Sequence, residues 1–301
     1  MPAATDALSR RAFTRSALGL FGGALFLGAC QGGKVGGDSD GSGGGGDSGG
    51  GDSSGSGDSR DTVDSNTNVE WATGGTAAMS GSYADPFGAE SSCAMTCAMT
   101  LGPCYGETVE RQDISEGYTG LPVRLALKIV DESCEPVKGM VVDIWHASLA
   151  GLYSGADTSE MCTDGDRDMI THQYFRGRQT TDASGRVDFD TCFPGWYSGR
   201  AVHVHFQVRT GATEGSGEYV TSQLFFEPTL IQEVFANHPE YSSRGQPDTP
   251  NSSDKVLGNN DPAPYTLTAA KQADGALLAW KTIVIRSSLS EQLCTAPESG
   301  R

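Results

Sequence analysis

Residues 194–206 read PGWYSGRAVHVHF and bring a phenol, a guanidinium and two imidazoles into thirteen positions. In a strand, residues two apart share a face, so His203 and His205 project together while Val202 and Val204 face the other way. Two imidazoles on one face suit a metal ion, and alone they would suggest zinc or copper. Tyr197 lies six residues before His203, in a turn bounded by Gly195 and Gly199 that can fold back over the same face. Phenolate is a hard, anionic donor, and Fe(III) is the common biological ion acidic enough to keep it ionised at neutral pH. A fourth donor is available in WHASLAGLYSG, where Tyr153 follows a strand and precedes Gly155. Taken singly, each residue has a structural explanation: Tyr153 as a strand-end aromatic, Tyr197 packed beside Trp196, Arg200 paired with an acid. Their joint order carries the metal reading.

These side chains need rigid elements to hold them. From Leu121 the hydrophobic pattern has period two, with Leu121, Val123, Leu125, Leu127 and Ile129 set against Arg124 and Lys128, which predicts a half-buried strand. A turn at Glu135-Pro136 leads to a second strand from Met140. FRGRQTTDASGRVDFDT reads as strand, turn at Asp182–Gly185, strand. RAVHVHFQVRT, GEYVTSQLFFEP and ALLAWKTIVIRSS supply three more, and TLIQEVFANHPEY is the one clear helix. Many short strands with turns between them predict a mainly β protein, a β-sandwich or open barrel.

In this order, TLGPCY, VVDIWHASLAGLYSG, FRGRQTTDASGRVDFDT, PGWYSGRAVHVHF and SQLFF resemble the intradiol ring-cleavage dioxygenases, and most closely their exported, lipoprotein-type relatives. The resemblance runs from about residue 100 to the last strand. It implies a β-sandwich of the intradiol type with few short helices and one non-haem Fe(III). Tyr153 and His203 would be equatorial ligands, Tyr197 and His205 axial. It also implies that Tyr197 gives way to the substrate and takes one of its protons, that Arg200 stabilises developing charge, that Gln223 lies near the substrate, and that Pro103 lines the pocket. The partners implied are a small aromatic diol and O2, with a muconate-type diacid as product. Cys104-Tyr105 stands where relatives often have two aromatics after Gly-Pro, a change at the pocket rim that bears on which diol is taken. The helical dimerisation region of the soluble catechol enzymes has no counterpart, so a monomer or weak homo-oligomer is expected. His146 is read as a packed residue or one that supports the ligands from behind, and His172 and His238 as loop residues.

The chain divides by composition. Residues 1–30 carry paired arginines in SRRAFTR, an apolar run from Ser16 to Ala29, and LGAC ending at Cys30, the order of a twin-arginine-like lipoprotein signal with Cys30 acylated. Residues 31–68 are Gly, Ser and Asp almost throughout and predict a disordered, flexible linker. Residues 69–118 form an irregular cysteine-containing segment, and residues 119–301 the β-sandwich catalytic domain. The expected location is the bacterial cell envelope, with a membrane partner through the lipid at Cys30. Seven further cysteines in an exported chain predict disulfides with at least one thiol left over. A net charge of −17 argues against a nucleic-acid partner, because phosphate contacts need clustered Lys and Arg. The competing function is a non-catalytic cell-surface sandwich that binds iron, a catechol-type ligand or a glycan.

Overall fold

The first strand in the chain is β1, Pro122–Val130, whose Val123, Leu125, Leu127 and Ile129 are all buried in the sandwich core. In a computed structural model, which describes residues 69–88, 93–211, 213 and 216–297, seven more strands join it. They are β2 (Val141–Trp145), β3 (Arg176–Thr180), β4 (Arg186–Cys192), β5 (His203–Arg209), β6 (Glu218–Phe225), β7 (Thr268–Lys271) and β8 (Leu277–Val284). The helices are short: α1 (Glu160–Thr163), α2 (Arg167–Thr171) and α3 (Pro228–Asn237). The protein is therefore mainly β, with two four-stranded sheets in the orders β4-β1-β8-β7 and β3-β2-β5-β6. The signal, Cys30 and the linker 31–68 lie outside the described residues. Among the described residues no helix is long and apolar enough to cross a membrane.

Period-two alternation builds the core. Val142 and Ile144 of β2, Val187 and Phe189 of β4, Val204, Phe206 and Val208 of β5, and Ile283 of β8 meet β1 between the sheets. The turn at Asp182–Gly185 forms as expected: the Asp182 carboxylate accepts from the backbone N–H groups of Ser184 and Arg186, and Gly185 takes φ +75°. α3 starts with Pro228 in its first turn, where a missing N–H costs nothing.

β1 differs from the half-buried strand expected. Its polar side is covered too, because Arg124 pairs with Asp190 at 2.5 Å and sits over the Tyr83 ring. Residues before β1 thus serve as a cover for the outer face. Other parts of the same irregular segment close sheet edges: Met99 N donates to Thr221 O beside β6, and Arg178 N of β3 donates to Val109 O. β7 has no alternating pattern in TAAK and was not expected from the sequence. His238 is also better fixed than a loop residue. It caps α3, is fully buried, and bonds Ala72 O through Nε2 at 2.9 Å.

The cysteines form three bridges, Cys93–Cys134, Cys97–Cys294 and Cys104–Cys162, and Cys192 remains a buried free thiol. The odd count is resolved as expected. Residues 164–168, DGDRD, lead into a helix, in which Asp166 caps α2 by accepting from Asp168 N and Met169 N.

Candidate active site

β5 places its apolar residues in the core, and its other face carries His203 and His205 outward from the sandwich. Register puts Trp145 of β2 and Gln223 of β6 on either side of His205, and Phe225 beside His203. The outer face of sheet β3-β2-β5-β6 is therefore the floor of the site. Trp145 stacks on His205 with centroids 4.9 Å apart and planes 12° apart, which fixes the imidazole plane. Residues 101–105 pass above. Gly102 runs close to the ring: a Cβ there would stand 3.0 Å from His205 Cε1, and its φ is +78°.

Two loops bring the phenols. Tyr153 follows β2, is buried, and is tied by its N–H to Cys162 O at 2.8 Å. Tyr197 sits in the Pro-Gly turn before β5 and is half-buried. The donor atoms converge: Tyr153 Oη lies 3.2 Å from His203 Nε2 and 3.4 Å from Tyr197 Oη, Tyr197 Oη 3.3 Å from His203 Nε2, and the two Nε2 atoms 3.1 Å apart.

This set fits a shared cation. His203 Nδ1 is 2.6 Å from Ala201 O, so that nitrogen carries the proton and Nε2 presents its lone pair to the cluster. A single lone pair then faces two hydroxyls and a second imidazole, more partners than it can serve. Donors about 2.1 Å from one ion would lie roughly 3–3.4 Å apart at right to tetrahedral angles, which is the spacing seen. Among the described residues no three His, Cys, Asp or Glu side chains form a metal-holding group, so the site depends on its phenols.

Electrostatics favour the same use. Burial, with the Arg200 charge adding to it, lowers His203 to about 3. Burial, His203 and Arg200 hold His205 well below the usual histidine range. Both rings are therefore neutral ligands at pH 7. Burial and the neighbouring Tyr197 push the Tyr153 phenol well above its ordinary value, although Arg200 and Arg176 oppose this. Its ionisation needs a nearby positive charge such as a bound metal. His146 is packed as expected: it stacks on Phe175, bonds Thr191 Oγ1 at 2.7 Å, and burial lowers it to about 4.

Arg200 stands at the cavity wall. Its Nη1 is 3.5 Å from Tyr197 Oη, Nη2 donates to Gln223 Oε1 at 2.5 Å, and Nε donates to Asp254 Oδ2 at 2.9 Å. The pairing with an acid and the approach to the phenol coexist. Asp254 is the residue that the sequence did not disclose. It also accepts from the N–H groups of Ala201, Val256 and Leu257, so the backbone holds the carboxylate that aims Arg200. Opening off this cluster is a cavity of about 490 Å³ lined by Pro103, Tyr153, Tyr197, Arg200 and His205, among others. Gln223 is fully buried and does not line it, and meets the wall from behind through Arg200 and the backbone oxygen of Thr100.

A protein-family description reading Dioxygenase matches residues 101–238, which include all four donors and Arg200. A chlorocatechol 1,2-dioxygenase of Pseudomonas putida is 28% identical over 124 residues, 35% of this chain and 42% of that protein. A protocatechuate 3,4-dioxygenase beta chain of Burkholderia cepacia is 26% identical over 168 residues, 52% of this chain and 64% of that one. The solved structure of an intradiol ring-cleavage dioxygenase from Tetranychus urticae superposes with a TM-score of 0.56 at 26% identity, covering 67% of this chain and 99% of that one. The matches support the intradiol dioxygenase family. The family match covers the donor cluster and stops before β7 and β8, and the chain spans about half the length of the curated relatives it matches, between 42% and 64%.

Proposed function

We propose that the protein is a non-haem Fe(III) dioxygenase that cleaves a catechol-like diol between its two hydroxyl-bearing carbons, using O2 and giving a muconate-type diacid. The convergence of two phenols and a second imidazole on His203 Nε2, each at 3.1–3.3 Å, carries this reading. Tyr153, Tyr197, His203 and His205 would hold the ion. When bound, Fe(III) would supply the Lewis acidity that ionises a diol and readies its ring for O2.

The chain's own groups have separable tasks. Tyr153 and His203 are buried and tied to backbone, so they anchor. Tyr197 comes from a turn and is partly open to the cavity. Its Oη is placed to take a proton from an arriving hydroxyl, which removes the need for a separate base. Arg200 presents Nη1 beside that oxygen, where its charge stabilises negative charge spreading into the diol ring. Asp254 and Gln223 keep the guanidinium from turning away.

Oxygen uptake with catechol tests this. Arg200→Ala should lose at least about a hundredfold in kcat and keep the visible colour of the iron-loaded protein. Catechol bound tightly with no oxygen consumed would contradict the enzyme and favour a binding module.

We also propose that the protein is exported and anchored in the cell envelope by a lipid on Cys30. The order of paired arginines, apolar run and LGAC supports this. Cys30→Ala should move the protein from the membrane fraction to the soluble one, and unchanged membrane association would contradict the anchor.

A further inference from the structure

We propose that the outer half of the cavity is a subsite for an apolar arm, so that the substrate is a catechol bearing an alkyl or aryl substituent. This rests on the ring-cleavage reading and specifies its substrate.

The first observation is size. An apolar cavity of about 150 Å³ suffices for one benzene ring. The cavity here is about 490 Å³, roughly three times that. A bare diol seated at the phenols and Arg200 would leave most of it to water.

The second is the chemistry of the unused part. Besides the donors and Arg200, the walls include Leu152, Met161, Val256 and the Cys104–Cys162 bridge. Met161 is 73% exposed, against 39% for Val109 and 43% for Leu289, the other exposed large apolar side chains among the described residues. A scattered exposed apolar residue is ordinary. Met161 lies on a cavity wall, where a ligand would cover it, and thioethers pack well against alkyl and aromatic groups. Its position is held: Cys162, the next residue, is bridged to Cys104 and accepts from Tyr153 N at 2.8 Å. The segment that carries the apolar wall is thereby fastened to a donor tyrosine.

The third is charge. The cavity lining holds one residue of each further sign, Lys255 and Asp164, and Arg200 has Nε and Nη2 committed to Asp254 and Gln223. Nothing in this arrangement favours an ionised substituent over an apolar one.

Iron-loaded protein should be compared on catechol, 4-tert-butylcatechol and 3,4-dihydroxybenzoate, by kcat/KM in air and by Kd in anaerobic titration. The tert-butyl compound should have a kcat/KM about tenfold or more above that of catechol and a Kd about tenfold or more below it, the scale of a few methyl groups entering an apolar pocket, and the carboxylate should show no such gain. Met161→Asp, a change at an exposed site, should raise the tert-butyl-to-catechol ratio of Kd values by about tenfold. If catechol is cleaved and the tert-butyl compound binds no better, or if the carboxylate is preferred, the subsite is overturned and ring cleavage stands. If no diol binds, both fall.

Discussion

Asp254→Asn is the most informative single change, because it alters Arg200 without touching a donor atom. The wild-type carboxylate is fully buried and holds Arg200 through Nε at 2.9 Å and a weaker contact to Nη2 at 3.4 Å. Arg200, with further backbone bonds, keeps the Asp254 carboxyl below its ordinary range despite burial, so it is ionised at neutral pH. The amide retains one oxygen acceptor but loses the charge. A hydrogen bond between charged groups contributes about 1.5–3 kcal/mol. Only the 2.9 Å bond is short enough to count in full. If that aiming is lost in the transition state, kcat should fall by roughly ten- to 150-fold, at 1.36 kcal/mol per decade. KM for catechol and the visible spectrum should change little, since no donor is altered. Steady-state oxygen uptake gives kcat and KM, and absorbance gives the iron environment. An Asp254→Asn protein with wild-type kcat, in a background where Arg200→Ala is inactive, would refute the idea that the carboxylate positions the guanidinium.

Two further outcomes follow from the same geometry. Gly102→Ala places a methyl 3.0 Å from His205 Cε1 at φ +78°, so iron content per chain should drop, measured by metal analysis after purification. Cys104→Ser with Cys162→Ser opens a 58-residue loop and should lower stability by up to about 4 kcal/mol, read from denaturation midpoints, while unchanged midpoints would show that the bridge constrains little.

The two histidines were legible because period two is a strong geometric rule: once β5 is a strand, Val202 and Val204 point inward and His203 and His205 outward. The phenols were legible only by their order along the chain, since no local pattern says that the loop after β2 and the turn before β5 meet. Asp254 was not legible. It lies 54 residues after Arg200, between short turns rich in Pro, Asn and Ser, where an acid reads as surface. The stacking of Trp145 on His205 follows from the register of β2 with β5, which the sequence does not state. The buried status of β1's polar face depended on covering by residues 81–87, and irregular covers leave no periodic trace. Disulfide partners were open for a similar reason, because loops that bring Cys104 to Cys162 have no spacing rule.

The central claim is that Tyr153, Tyr197, His203 and His205 bind one ferric ion. Visible absorption of the purified, iron-loaded protein tests it most directly. A phenolate-to-iron charge-transfer band should be present with about one iron per chain, should shift when catechol is added without oxygen, and should weaken sharply in Tyr153→Phe. Iron bound stoichiometrically with no such band, or a band unaltered in Tyr153→Phe, would contradict the account.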